Sequence, residues 1–215
     1  MNAPLSLTSL PLFPLEAVLY PGGTLALRVF EVRYLTMVRK CHEAGAPFGV
    51  VCLQSGTEVR RAGAVPEQLC GVGTLARIEH LESPQPGLLL ARCLGHARFR
   101  IQHHHQLPHG LWVADVEQIP DDLPIPVPPH LAATALSLVP VLATLRERHG
   151  ADAVSTATPE LLQDSGWVAN RWCELLPMPM PLKQQMMELD NPLVRLELVG
   201  DMLEHTGIQG GTPSA

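Results

Sequence analysis

Residues 120–129 read PDDLPIPVPP, and five prolines in ten residues constrain this chain more than any other stretch. Proline has no N–H to give a sheet and disrupts a helix interior at a cost of about 3 kcal/mol. Neither kind of element crosses this point, so the segment is read as a semi-rigid extended connector. The sequence changes character on either side of it. Boundaries follow at 1–119, 120–129 and 130–206, and 207–215 (GIQGGTPSA) reads as a frayed tail with nothing to pack.

Before the connector the pattern is strand-like. GTLALRVF alternates Leu25, Leu27 and Val29 with small or polar neighbours, the period of a half-buried strand. FEVRYLTMVRKCHEAG then switches to three- and four-residue spacing through Val32, Leu35, Val38 and Cys41, which predicts a helix over 31–44 stopped by Gly45. FGVVCL reads as a short buried strand, 55–68 as an exposed loop, and LCGVGTLARIEHLE and LLLARCLGHARFRIQHH as two long strands parted by the turn SPQPG. LWVADVEQI closes this half. Many strands with one helix predict a closed or partly closed β-barrel.

Beyond the connector everything reads helical. Leu131, Ala135, Leu138, Val139, Leu142 and Leu145 form one apolar stripe, which Pro140 is expected to kink. Thr158-Pro159-Glu160 carries a helix-start signature, predicting a helix that runs through WVANRWCELL until PMPMP ends it. LKQQMMEL and NPLVRLELVGDML follow, the latter capped by Asn191 with Pro192 in its first turn and Leu193, Leu196, Val199 and Leu203 on one face. The fold class is therefore α+β, a barrel with one crossing helix followed by a helical bundle.

Charge and cysteine usage narrow the function classes. A formal charge of −6 argues against broad nucleic-acid binding, which needs a basic footprint. The basic clusters Arg60-Arg61 and Arg98-Phe99-Arg100 read as solvated strand ends. Cys41, Cys52, Cys70, Cys93 and Cys173 are scattered, with no C-x-x-C pair, so they read as reduced core thiols. The first basic residue is Arg28, which leaves no n-region for a secretory signal. No apolar run is long enough to span a bilayer, and the expectation is a cytoplasmic protein.

The search for chemistry returns little. No Walker loop and no G-x-S-x-G elbow is present, and Gly71 and Gly73 of GVGTLA lie inside a strand without a third glycine in register. Cys41 and His42 are helix neighbours that do not face one another, so Cys41 reads as core and His42 as surface. His103 and His105 share a strand face and could hold a divalent metal, but no carboxylate accompanies them; no metal and no cofactor is expected. Glu31, Arg33 and Tyr34 read either as an anion or peptide-carboxylate receptor centred on Arg33 or as a clasp between the first strands and the helix, and the clasp is favoured. Trp112, Trp167 and Trp172 read as anchors. Met178, Met180, Met186 and Met187 read as core, with an adaptable apolar surface as the alternative.

LPLFPLEAVLYPGGTLALRVFEVRYLTMVRKC, followed by PFGVV, resembles the opening of the N-terminal substrate-binding domain of the ATP-dependent Lon protease family. GVGTLARIEHLE and HARFRI resemble two of its strands, with His96 where the family has Gly, and VANRWCELLPMPMPLKQQMMELDNPLVRLELVGDML is similar to its closing helices. The likeness covers roughly residues 8–206. It implies a PUA-like pseudo-barrel followed by a helical bundle, with Pro21, Gly22 and Glu31 as structural motif positions. It also implies a non-catalytic module that binds unfolded or damaged polypeptides, as an adaptor or holder working with an ATP-dependent protease or a chaperone. The ATPase and peptidase domains of that protease have no counterpart in these residues. A groove between barrel and bundle near Phe30, Arg33, Tyr34 and Phe48, together with Met178, Met180, Met186 and Met187, is the candidate peptide surface. Two other readings compete: a PUA-like barrel that binds RNA, and a small metal-dependent enzyme built on His103 and His105.

Overall fold

Phe99 sits at 0% exposure at the centre of five strands that close on themselves. The structure, a computed structural model, describes residues 5–58, 65–150 and 154–206, and the chain divides into two compact units, Met1–Asp121 and Asp122–Ala215. The first unit contains β1 (Ser6–Leu15), β2 (Thr24–Val29), α1 (Val32–Ala44), β3 (Phe48–Ser55), β4 (Gln68–Gln85), β5 (Leu88–Gln106) and β6 (Trp112–Gln118). The sheet order is β2-β5-β4-β3-β1-β6, and a β5–β6 pairing joins its end back to β5. Five strands thus make a barrel and β2 is appended outside it. β1 and β3 run parallel, and the other pairings are antiparallel.

Besides pairing with β4, β5 serves two more partners because it is nineteen residues long: residues 89–94 pair with β2, and 99–106 pair with β6. Phe99 packs with Leu10, Leu12, Val51, Leu75, Ala114 and Val116 inside the barrel. Gly49 and Gly73 make room for it. A Cβ on Gly49 would stand 2.7 Å from Phe99 Cζ, and one on Gly73 would stand 2.7 Å from the same atom and 2.5 Å from the Val50 carbonyl oxygen. β1 bulges between Leu7 and Leu10, with Ser9 at φ 54° and its N–H donating to Asp115 Oδ1 at 3.0 Å.

The second apolar cluster of this unit holds α1. Tyr34, Met37, Val38 and Cys41 pack with Phe13, Leu27, Val29 and Phe48. Gly45 ends the helix at φ 60°, where its N–H donates to the His42 carbonyl and that of Ala46 to the Cys41 carbonyl, a left-handed cap that favours glycine. Two expectations need correction here. Arg98 is buried at 4% rather than solvated, because it flanks Phe99 in the closed part of β5. Glu67, expected in an exposed loop, keeps 8% of its side-chain exposure because it caps a polar network. Arg60-Arg61 lie outside the described residues, as does the tail 207–215.

The second unit contains α2 (Ala132–His149), α3 (Ser165–Leu175), α4 (Met180–Glu188) and α5 (Pro192–Thr206), with α3 packed against α2, α4 and α5. The proline-rich stretch is held in this unit. Pro126 bridges Asp164 in antiparallel fashion, and the N–H donors come from residues that have them: Val127 to the Gln163 carbonyl and Ser165 to the Ile125 carbonyl, both at 2.9 Å. Asp122 anchors it further through Arg195, whose guanidinium is 1% exposed and donates to Asp122 Oδ2 (2.7 Å), Asn170 Oδ1 (2.8 Å) and the carbonyls of Met186 and Leu189.

Thr158-Pro159-Glu160 does not start the long helix. It leads into a single 3-10 turn at Leu161–Gln163, and α3 begins afresh with Asp164 Oδ1 accepting from the Trp167 N–H at 2.9 Å. The Asp164 cap competes better because its backbone is already extended by the Pro126 bridge. α2 runs through Pro140 unbroken, and of its expected stripe Leu131, Ala135, Leu138 and Leu142 are buried while Val139 is 39% exposed. Asn191 caps α5 as expected. Trp172 donates to the Thr134 carbonyl, fixing α3 on α2.

Arg171, 1% exposed, pairs with Glu174 Oε1 at 2.9 Å, and Lys183 donates to the Glu174 carbonyl. Burial pushes the Glu174 carboxyl up to about 7, against the opposing pull of Arg171 and Lys183. A carboxyl raised in the folded state contributes stability that is fully present below its ordinary value near 4.5 and is lost as pH rises through about 7. Urea midpoints should therefore fall between about pH 5.5 and about pH 8, and the fall should be smaller in Glu174→Gln. Gly73→Ala should lose about 1–3 kcal/mol in the same assay, because a backbone carbonyl cannot give way. Gly71→Ala, whose Cβ would meet nothing within 4 Å, should unfold close to the parent midpoint.

Candidate functional site

Arg33 is held on several sides within the first unit, and it faces inward. Its Nη1 donates to the Gly110 carbonyl at 2.8 Å, and Nη2 lies 3.3 Å from Glu31 Oε2 and 3.5 Å from Glu67 Oε1. The guanidinium sits 4.5 Å from the Tyr34 ring centre. Glu67 Oε2 in turn accepts from Trp112 Nε1 and from Gln106 Nε2. The network is a clasp, but its span differs from the expected one: it ties the start of α1 to the turn between β5 and β6 and to the residue just before β4. Arg33 is 7% exposed and its guanidinium is turned into this network, so it presents no free face as a receptor.

Tyr34 forms the floor of a pocket. Its ring stacks on Phe13 at 4.2 Å and 21°, and Phe13 meets Phe48 at 6.2 Å. Above that stack lies a half-open cavity of about 330 Å³ lined by Phe13, Leu15, Ala17, Tyr34 and the run Leu25 to Glu31, with Glu58 at the rim. Phe30, 52% exposed, stands at its lip. The candidates Phe30 and Tyr34 therefore share one pocket, formed wholly within the first unit. Phe48, at 0%, is behind it and cannot touch a ligand. Phe13, Leu15, Leu25 and Leu27 were missed as lining residues. Period-two alternation identifies them as inward-facing but not as residues left partly open.

The methionines divide. Met186 and Met187 are 2% exposed and belong to the core of the second unit. Met178 lines an apolar groove of about 490 Å³ with Leu176, Pro177, Pro179, Leu182 and Leu198, and Asp201 and His205 stand at its edge. Met180 is 37% exposed as the first residue of α4. The groove arises because Pro177 and Pro179 hold the chain extended between α3 and α4.

The reactive side chains are arranged for packing. Burial raises the Cys41 thiol, which lies 3.7 Å from the Met37 sulfur, and pushes Cys93 up to about 12. The Cys52 thiol is lowered, by a hydrogen bond with Cys70, and all five cysteines are buried thiols outside any disulfide. His103, His104 and His105 are exposed on β5 opposite Asp115, Ala114 and Val113, and the His104 ring rests on Trp112 at 5.3 Å. Among the described residues no three His, Cys, Asp or Glu side chains are placed to hold a metal ion, and no helix is long and apolar enough to cross a membrane.

The sequence pattern of the ATP-dependent protease La (LON) substrate-binding domain matches residues 9–205. The chain belongs to this family. Among solved structures it is similar to a Lon N-terminal domain protein from Xanthomonas campestris, at 33% identity and a TM-score of 0.67, covering 91% of this chain and 98% of that one. The N-terminal domain of the Mycobacterium avium complex Lon protease shares the fold at 18% identity and a TM-score of 0.58, with the same coverage. No curated protein matches. Membership in the Lon substrate-binding family accounts for the α+β architecture and marks the chain as a substrate-binding module.

Replacing Arg33 separates clasp from receptor. Arg33→Ala should cost about 3 kcal/mol, the low end for breaking one side of a buried pair, and Arg33→Lys should recover only part of it because an ammonium lacks the planar fork. Unfolding midpoints in urea check both. A midpoint unchanged in Arg33→Ala would exclude the clasp.

Proposed function

We propose that this protein is a non-catalytic polypeptide-binding module of the cytoplasm that holds unfolded or damaged chains, as an adaptor for an ATP-dependent protease or a chaperone. The match over residues 9–205 to a substrate-binding domain family carries this reading. The two apolar cavities support it. Capturing chains of varied sequence calls for open apolar surface with few directional groups, and both cavities fit that requirement. The pocket above Tyr34 has a floor of Phe13, Leu15 and Leu27 and an exposed aromatic lip at Phe30. The groove at Met178 offers an adaptable thioether among leucines and prolines. The binding residues of this reading are Phe30, Tyr34 and Met178, with Met180 beside the groove. No cofactor is called for.

The acidic balance also favours protein over nucleic acid as partner: a charge of −6 repels a phosphate backbone.

Fluorescence anisotropy with a permanently unfolded, reduced and alkylated model chain tests the proposal. Binding at micromolar protein is expected. Phe30→Ser should weaken it about three- to thirtyfold, the loss of one well-placed aromatic contact of roughly 0.6–2 kcal/mol, with the urea midpoint unchanged because Phe30 is half exposed. No binding at high micromolar protein would defeat the reading.

A further inference from the structure

β2 is the outermost strand on its side of the sheet. It pairs with β5 over all six residues, Thr24↔Leu94 to Val29↔Leu89, and among the described residues no strand meets its other edge. In an antiparallel ladder, alternate residues turn both N–H and C=O away from the partner. Half of β2 therefore offers main-chain donors and acceptors outward. Such an edge is a template for another strand unless something covers it.

The pocket above Tyr34 lies along this edge. Every residue from Leu25 to Phe30 lines it, so the cleft runs the length of the strand and faces Phe13, Leu15 and Tyr34 across it. A compact ligand would draw on scattered positions, whereas a cleft built on five consecutive residues of an edge strand and on the Phe30 that follows it fits a ligand lying parallel to that strand. The side chains agree with such a ligand. Leu27 and Val29 are buried toward the cluster below, and Ala26 and Arg28 are exposed on the other face. Arg28 makes no ion pair among the described residues.

We propose that the free edge of β2 binds an extended polypeptide segment by strand addition, with alternate apolar side chains over the Phe13–Tyr34 floor and an acidic residue outward beside Arg28. This rests on the polypeptide-binding reading and adds the manner of binding and the preferred segment. Main-chain hydrogen bonds hold the segment whatever its sequence, and the cleft and Arg28 select among sequences. Opposite charges on neighbouring strands add up to about a fivefold preference.

The probe is a fluorescein-labelled, end-capped peptide of seven residues, Leu-Thr-Val-Glu-Val-Thr-Leu, titrated with the full chain. Two further peptides carry N-methyl groups, one on the odd-numbered amides and one on the even-numbered amides. Strand addition exposes only one of these sets to β2, so one peptide should lose at least about tenfold in affinity and the other should stay near the parent. Replacing the central Glu by Lys should weaken binding up to about fivefold, and Arg28→Glu should invert that preference. Equal behaviour of the two methylated peptides overturns the proposal and leaves a side-chain-only pocket. A peptide that fails to bind while the unfolded model chain binds also overturns it, leaving the polypeptide-binding reading intact. Failure of both removes the two together.

Discussion

Barrel closure around one aromatic ring is the constraint on which the first unit depends. Phe99 occupies the interior only because β3 and β4 present Gly49 and Gly73 to it, and the Val50 carbonyl leaves no space for a Cβ on Gly73. With Phe99 seated, the second half of β5 reaches β6 and the sheet closes. The first half of β5 is then left to splay outward, and β2 is the strand it carries. The free edge, the cleft beside it and the position of α1 follow from how β5 is shared. This is why GVGTLA, a poor dinucleotide fingerprint, still tolerates no side chain at Gly73: a van der Waals requirement inside a barrel replaces a phosphate contact.

Arg33 performs the same service at one remove. A buried guanidinium is costly unless its donors are met, and here Gly110, Glu31 and Glu67 meet the two Nη groups beside the Tyr34 face, while Nε has no hydrogen-bond partner among the described residues. The clasp holds the start of α1 against the β5–β6 turn, which sets Tyr34 under the cleft. In the second unit Arg195 plays a comparable part. It gathers Asp122, Asn170 and two carbonyls, so the proline-rich stretch is bound into that unit at its first residue.

The strand and helix periods, the Gly45 stop and the Asn191 cap were legible, because each is a local property of a few residues. What was not legible depended on partners far away in sequence. Thr158 carried the right chemistry for a cap, yet Asp164 won because the Pro126 bridge had already set its backbone. Arg98 looked like a solvated end because nothing local says that Phe99 is the barrel's interior ring. Met186 and Met187 could not be told from Met178 by composition; the first two lie on the buried face of α4, and Met178 lies in the proline-held stretch before it that lines a groove. Phe48, fully buried, packs behind the Phe13–Tyr34 stack, whereas Phe30 follows an edge strand and keeps half its surface open.

An open edge beside an apolar cleft is a hazard as well as a tool, and β2 shows how the two are reconciled. The strand has six residues, short enough that pairing with a second copy would form few hydrogen bonds. Its outward face carries Arg28, which would sit near its own kind in an antiparallel self-pairing and repel it. A net charge of −6 adds a longer-range repulsion between copies. A client segment that is extended, apolar at alternate positions and acidic beside Arg28 escapes that like-charge repulsion and replaces it with an attraction. Arg28, which opposes pairing of the protein with itself, is therefore the residue that gives the edge a preference among strangers.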